Sequence, residues 1–291
     1  MCAFLSPAME PGSELGIWHP PPWPPQHTDQ EGKVLAYKEG GRFQNPWMEE
    51  RPSVASFFLS WYTGPDESNI PGSDILSETL PVKPPVFVSD PSYTISSARL
   101  TWLGHATTLA EVDGHAILTD PMFSARASAV QFLGPKRYTA AACKIEDLPP
   151  LTAVLVSHNH YDHLDLNSVA RLAELQPNMS WFVPSGMAKW IIDNTEASSE
   201  RVNEMTWWQE KQVEGTKLKI VFTPANHWCK RSIADDNQML WGSYAVIGPS
   251  KRFWFGGDTG YCEAFKQIGE KYGPFDMAAI PIGEIDYMSL H

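Results

Sequence analysis

Apolar and polar positions alternate in short runs through the middle of the chain. Leu100-Thr-Trp-Leu103 and Thr107 to Val112 read as strands, and Asp113-Gly114 supplies a two-residue turn into a third strand, His115-Ala-Ile-Leu-Thr119. Ala153-Val-Leu-Val156 is a continuous apolar run and predicts a buried strand. Asp165 is placed to cap a helix whose apolar positions Val169, Leu172 and Leu175 follow helical spacing. Lys217 to Phe222, Tyr244 to Ile247, Arg252 to Phe255 and Met277 to Ile282 predict further strands. Phe265, Ile268 and Tyr272 mark one face of a helix stopped by Gly273-Pro274. Strands and helices mix in two successive halves, which predicts an α/β layered architecture.

The N-terminal part has a different character. Residues 1–40 include Pro20, Pro21, Pro22, Pro24 and Pro25 and read as a loose, disordered tail in which Trp18 and Trp23 are free to dock on a partner. Composition changes at Gly41. Gly41-Arg-Phe-Gln-Asn-Pro-Trp47 leads into the apolar run Ser53 to Trp61, too short to cross a bilayer but able to lie on one. Residues 41–97 are expected to pack on a main domain that runs from residue 98 to residue 291.

Charge narrows the range of partners. The net charge of -12 argues against a broad electrostatic grip on nucleic acid or on an anionic membrane. Cys2, Cys143, Cys229 and Cys262 are scattered without a CxxC pair, which favours a reducing compartment. The first residues do not read as a signal peptide, and no stretch approaches the roughly 20 apolar residues that span a bilayer. The expectation is an intracellular protein, cytoplasmic or peripherally membrane-associated and not secreted.

Chemistry concentrates in Ser157-His-Asn-His-Tyr-Asp-His163, directly after the strand that ends at Val156. His158, His160, Asp162 and His163 lie within six positions. A strand end lets the following loop turn alternate side chains into one cavity. Imidazole and carboxylate suit Zn²⁺, and a catalytic site leaves one coordination position for water. His227 follows the strand before Pro224, and Asp258 lies in Phe255-Gly-Gly-Asp-Thr-Gly260, where the glycines allow a close backbone approach.

These motifs resemble the metallo-β-lactamase superfamily, in which an HxHxDH motif, a later His and a later Asp hold two zinc ions between paired sheets. Gly41 to Trp47, Thr101-Trp-Leu-Gly-His-Ala-Thr107, Leu118-Thr-Asp-Pro121, Gly134-Pro-Lys-Arg137, His227-Trp-Cys-Lys-Arg231, Trp241-Gly-Ser243 and Gly256 to Cys262 are more specifically similar to the phospholipases D that hydrolyse N-acyl-phosphatidylethanolamine. The resemblance runs from about Gly41 to Gly283. It implies an α/β fold of the αββα sandwich type, with His158, His160 and His227 on one zinc, Asp162 and His163 on a second, and Asp258 bridging them. Asp162, Asp258 and Asp120 would be the catalytic carboxylates, Asp120 by orienting ligands, and Tyr161 would contact the lipid. The implied reaction releases N-acylethanolamine and leaves phosphatidic acid. The implied partners are a phospholipid substrate and a membrane surface, with no nucleic acid, and a homodimer is compatible. Trp47, Phe57, Phe58 and Trp61 are candidates for an apolar approach to lipid.

The family pattern continues past Gly283 to a final His of the second zinc site. Glu284-Ile-Asp-Tyr-Met-Ser-Leu-His291 matches none of it. A C-terminally truncated domain is therefore expected, with the second half of the sandwich incomplete and the second zinc bound weakly or not at all. Two other readings keep the metal site. One is a hydrolase of another phosphodiester or of a lactone; the other is an inactive, zinc-binding truncated product.

Overall fold

The computed structural model describes residues 27–47, 71–87, 98–232 and 234–282. A small hairpin, β1 (Lys38–Glu39) and β2 (Arg42–Phe43), and helix α1 (Ser73–Thr79) precede the main body. The alternating runs then form a six-stranded sheet in the order β3 (Ala98–Gly104), β4 (Thr107–Val112), β5 (His115–Thr119), β6 (Ala153–Leu155), β7 (Ser180–Pro184) and β8 (Val202–Met205). Its first three strands are antiparallel and the rest pair in parallel. A second sheet has five strands: β9 (Glu210–Gln212), β10 (Lys219–Thr223), β11 (Ser243–Ile247), β12 (Arg252–Phe255) and β13 (Met277–Ala279), in the order β13-β12-β11-β10-β9.

Period-two geometry divides the core into two parts. Ala153 and Leu155 of β6 join Phe222, Tyr244 and Phe253 between the sheets. Their neighbours Val154 and Val156 face the other way, onto α2 (Leu166–Leu175) and α3 (Ala188–Asn194) through Val169, Leu172 and Ile191. The Tyr244 hydroxyl spans the gap between the sheets to within 3.0 Å of the Val156 and Phe182 carbonyls. On the far side, Phe265 of α4 (Ala264–Tyr272) packs edge-on against Trp254 of β12, ring centroids 5.2 Å apart. The layers are therefore helix, sheet, sheet and helix, as the resemblance implies.

Several local expectations need adjustment. Leu175 ends α2 and is exposed, because the burial stripe stops at Leu172 and Ala173. The last strand ends at Ala279, and Ile280 and Ile282 are exposed around Pro281, which lacks the N–H to continue a ladder. Val34 is fully buried and its carbonyl accepts from Trp208 Nε1 at 2.7 Å, so the core reaches further toward the N-terminus than the change of composition at Gly41 suggests. Trp47 is buried against Trp207, so its ring is not on the surface where an approach to lipid needs it. Trp18, Trp23, Phe57, Phe58, Trp61 and the segment 284–291 with His291 lie outside the described residues.

Candidate metal centre

Three strand ends deliver the site. The chain leaves β6 through Val156 into the His158–His163 loop, leaves β10 toward His227, and leaves β12 through two glycines to Asp258. His158 Nε2 and His160 Nδ1 stand 2.8 Å apart, and His227 Nε2 is 3.2 Å from each. Asp258 Oδ2 lies 3.9 Å from His158 Nε2, 3.8 Å from His227 Nε2 and 3.1 Å from His163 Nε2. Asp258 thus joins the three-histidine group to a second group, in which Asp162 Oδ2 is 3.6 Å from His163 Nε2. All six residues assigned as ligands from the sequence meet at one end of the sandwich.

The hydrogen bonds fix which nitrogens face inward. Asp120, fully buried in a left-handed backbone at the end of β5, accepts from Ser157 N on Oδ1 at 2.7 Å. Its Oδ2 accepts from Ser157 Oγ and faces His163 Nδ1, both at 2.6 Å. Ser157 has one hydroxyl proton, and the carboxylate takes it. The contact of 2.8 Å from Ser157 Oγ to His158 Nδ1 must then be an N–H donated by the imidazole. The lone pair of neutral His158 is consequently on Nε2, directed at His160 and His227. The same logic puts the proton of His163 on Nδ1 and its other nitrogen toward Asp162 and Asp258.

Charge follows burial and neighbours. Burial and the surrounding imidazoles push His158 well below the ordinary histidine range, and burial with His227 beside it pushes His160 down to about 3. Both are neutral at physiological pH. Burial alone would raise Asp162 and Asp258, yet His163 and the other histidines hold both carboxyls well below the ordinary range. Burial lowers His163, but Asp258, Asp162 and the hydrogen bond to Asp120 outweigh it and raise it well above the ordinary value. Without an ion, the cluster holds a proton where a cation fits.

Close packing and buried polar contacts brace the loops. Gly257 has a φ of 60°, and a Cβ there would stand 2.7 Å from Ser157 Cβ, which explains the Gly-Gly-Asp sequence. Asn45 Nδ2 donates to the His227 carbonyl and to Asn226 Oδ1, both at 2.8 Å, tying the Gly41–Trp47 segment to the site. Arg231 Nη1 donates to the carbonyls of Asn159 at 3.0 Å and Leu164 at 2.6 Å, which bracket the ligand loop. Its guanidinium lies 4.0 Å from the centroid of the Tyr161 ring, and the Tyr161 hydroxyl donates to the Arg231 carbonyl at 3.2 Å. Tyr161 is therefore half-buried beside the candidate donors, one face covered by Arg231. Sequence reasoning did not single out Ser157, Asn45, Arg231 or His105, whose Nε2 lies 2.8 Å from Asp162 Oδ2. Only the wider motifs that contain them offered a signal.

The donors fit a divalent metal. Imidazole nitrogens crowd together with their lone pairs converging, and two ionised carboxylates adjoin them. A layered α/β sandwich with this cluster at one end of its sheets defines a metal-dependent hydrolase. A family model, the β-lactamase superfamily domain, matches residues 115–291. The chain is 41% identical over 270 residues to N-acyl-phosphatidylethanolamine-hydrolyzing phospholipase D 1 of Caenorhabditis elegans, an alignment covering 89% of this chain and 75% of that protein. It is 37% identical over 189 residues to the mitochondrial N-acyl-phosphatidylethanolamine-hydrolyzing phospholipase D of Saccharomyces cerevisiae, covering 63% of this chain and 39% of that protein. The chain belongs to the N-acyl-phosphatidylethanolamine-hydrolysing phospholipase D family within the β-lactamase superfamily. Among solved structures it is similar to a metallo hydrolase from the archaeon Ignicoccus hospitalis, with a TM-score of 0.48 and 21% identity, covering 64% of this chain and 71% of that one. The chain spans only part of each of these three proteins.

Proposed function

We propose that this chain is a zinc-dependent phosphodiesterase of phospholipase D type, acting on N-acyl-phosphatidylethanolamine. The observation that carries the reading is the convergence of His158, His160, His227, Asp258, Asp162 and His163 in a chain 41% identical to the nematode enzyme. His158, His160 and His227 would hold one ion, Asp162 and His163 a second, and Asp258 would stand between them. Zinc bound there would supply a water nucleophile active at neutral pH and Lewis-acid stabilisation of charge on the phosphoryl oxygens. In the overall reaction the water oxygen ends on phosphorus and the bond from phosphorus to the N-acylethanolamine oxygen breaks. The released alcohol takes a proton, and phosphatidic acid remains.

The protein's own part is to orient. Asp120 fixes the tautomer of His163 directly and that of His158 through Ser157, so that both lone pairs point inward. Arg231 holds the loop that carries His160, Tyr161, Asp162 and His163 at both ends. Tyr161, part of that loop, would meet the substrate along its open edge.

Lipid access would use a rim other than Trp47. Trp102 is exposed, and its Nε1 donates to the His105 carbonyl at 2.7 Å beside the site. Phe132 and Leu133 stand 82% and 62% exposed at the tip of the turn that Arg126 and Lys136 close, and Tyr138 follows it, also exposed. The Arg137 guanidinium, just after this turn, lies against Gly104, the neighbour of His105, and this supports reading the exposed tip as an approach for lipid. No described helix is long and apolar enough to cross a membrane.

The test is zinc content per chain together with turnover of N-acyl-phosphatidylethanolamine in vesicles and of a soluble bis-aryl phosphate. Two zincs and preferential vesicle turnover are expected. Hydrolysis of the soluble diester alone would point to another phosphodiester as substrate, and zinc without turnover of either would leave an inactive metal-binding product.

A further inference from the structure

Between Pro121 and Cys143 the chain holds no aspartate or glutamate, whereas Arg126, Lys136 and Arg137 are cations. The whole chain, by contrast, carries a net charge of -12. The cations gather at the base of a finger. Arg126 and Lys136 pair there as an antiparallel bridge, Ala127 N donates to the Pro135 carbonyl and Arg137 N to the Ala125 carbonyl, both at 3.0 Å. Gln131 ties the tip to the base: its Oε1 accepts from Arg126 N at 3.1 Å and its Nε2 donates to the Arg126 carbonyl at 3.0 Å. The Arg126 guanidinium donates to the Gly134 carbonyl, and that of Arg137 to the Met122 and Thr139 carbonyls. These partners are neutral, and among the described residues no ion pair offsets any of the three cations. Asp165, the carboxylate that bears on Arg137, is buried and accepts from Ser124 N and Ser168 N, each at 3.2 Å. Lys136 is exposed, and so are Val130, Phe132 and Leu133 beyond it at the tip.

We propose that this finger docks the protein on an anionic lipid surface, its apolar tip entering the interface while Lys136, with Arg126 and Arg137, meets lipid phosphates at its base. The proposal deepens the lipid reading given above and rests on it only in taking the exposed tip as an approach to lipid. Lys136 and Leu133 are three positions apart, a reach on the order of 10 Å. Apolar groups of peripheral proteins sit about 5–10 Å into the boundary between headgroups and acyl chains. A tip at that depth therefore leaves the cations level with the phosphates. The chemistry of the proposed substrate agrees. Acylating the amine of phosphatidylethanolamine removes its positive charge and leaves the phosphodiester anion, so a bilayer that holds it is negative at its surface. A net charge of -12 repels the rest of the protein from such a surface, which favours contact finger first.

Flotation of the full 291-residue chain with substrate-free vesicles tests this. Phosphatidylcholine vesicles are compared with vesicles in which about one-third of the lipid is phosphatidylglycerol, in roughly 0.05 M and 0.5 M salt. At low salt the anionic vesicles should bind about ten-fold more tightly or better, and high salt should cut that advantage to about three-fold or less. Lys136→Gln should weaken binding to anionic vesicles about five-fold and Lys136→Glu about 25-fold, whereas Lys136→Arg should stay within about two-fold of wild type. Phe132→Ser should weaken binding to both kinds of vesicle alike. Thermal unfolding checks that each variant folds, and if the glutamate variant does not, the glutamine and arginine variants decide. Equal binding to the two compositions, binding to neither, or anionic binding that the loss of the Lys136 charge leaves intact would each overturn the proposal. Turnover of N-acyl-phosphatidylethanolamine without a preference for anionic vesicles would remove this proposal and leave the phospholipase reading. Anionic docking without turnover would remove that reading and leave the docking surface.

Discussion

The carboxylate of Asp120 and the imidazole of His163 meet at 2.6 Å in a pocket from which both are wholly excluded from solvent. That carboxylate also takes the only hydroxyl proton of Ser157, and so commits His158 to the tautomer with its lone pair inward. One buried side chain thus sets the direction of two imidazoles from different parts of the motif. Asp120→Asn keeps the size but replaces one accepting oxygen by a donor, which must face either the His163 N–H or the Ser157 donors. Metal affinity is expected to fall about 10–100-fold, the usual loss for a partner that orients a ligand. Competition against a coloured chelator measures it, and an affinity within two-fold of wild type, a limit of roughly 0.4 kcal/mol, would count against the relay.

Arg231 acts on the same loop from outside the donor cluster. Its two carbonyl partners, Asn159 and Leu164, bracket the segment that carries three of the candidate donors, His160, Asp162 and His163. It also stacks between Tyr161 and Trp190, at 4.0 and 5.0 Å from the ring centroids. Lysine keeps the charge but lacks the planar fork that bonds and stacks at once. Arg231→Lys should cost about 1.5–3 kcal/mol, the range for hydrogen bonds from a charged group, in urea unfolding, and should weaken metal binding in the same sample. Unchanged values in both would show that the loop holds itself.

The sequence reveals those parts of the site in which the chemistry demands particular residues at close spacing. His158, His160, Asp162 and His163 are readable because four donors share one loop, and β3 to β5 because one alternating pattern and an Asp-Gly turn specify them. β7 and β8 pass unnoticed: Trp181-Phe-Val183 is buried on both faces, and a short apolar run without alternation does not declare its type. Ser157, Asn45 and Arg231 act through contacts with Asp120, His227 and Asn159, partners distant in the chain that no one short motif holds together with them. Trp47 looked suitable for lipid because it is aromatic near the N-terminus; its burial depends on Trp207, 160 positions further along.

The exposed tip gives a prediction about substrate presentation. Phe132 and Leu133 contact little of their own chain, so Phe132→Ser and Leu133→Ser together should leave folding and soluble-diester turnover within about two-fold of wild type, since exposed positions usually change stability by under about 0.5 kcal/mol. Vesicle binding and vesicle turnover should drop by about ten-fold, as expected for losing roughly 1.5 kcal/mol or more of apolar insertion. Sedimentation with vesicles measures the first and release of N-acylethanolamine the second. Equal losses on vesicles and on the soluble diester would place these side chains in the folded scaffold.

Chelation should destabilise as well as inactivate. The ions would bind the native cluster and not a dispersed chain, so free metal at about 100 times its dissociation constant stabilises by about 2.7 kcal/mol. Removing it leaves Asp162 and Asp258 with only a protonated His163 opposite them. Thermal unfolding should shift downward on adding a strong chelator and recover on adding excess zinc. A melting temperature indifferent to both would mean that the site forms without metal.

The last prediction concerns Cys262, which follows the Asp258 loop. Burial pushes its thiol from 9.0 up to about 12, and backbone donors from Ala264, Asn226 and Phe265 offset only part of that. An acid whose pKa is raised in the folded state favours folding while it stays protonated in both states. Its contribution is therefore complete below about pH 9, where the unfolded thiol is also neutral, and declines as pH rises toward 12. The limiting slope for one such group is about 1.4 kcal/mol per pH unit. Between pH 9 and 10.5 the wild type should lose stability more steeply than Cys262→Ala, and the two should run parallel below pH 8. Tyr272, raised by burial and by its bond to Glu210, is present in both proteins and cancels from the comparison. Parallel curves across the whole range would mean that the unfolding chain, and not the buried thiol, governs the alkaline limit.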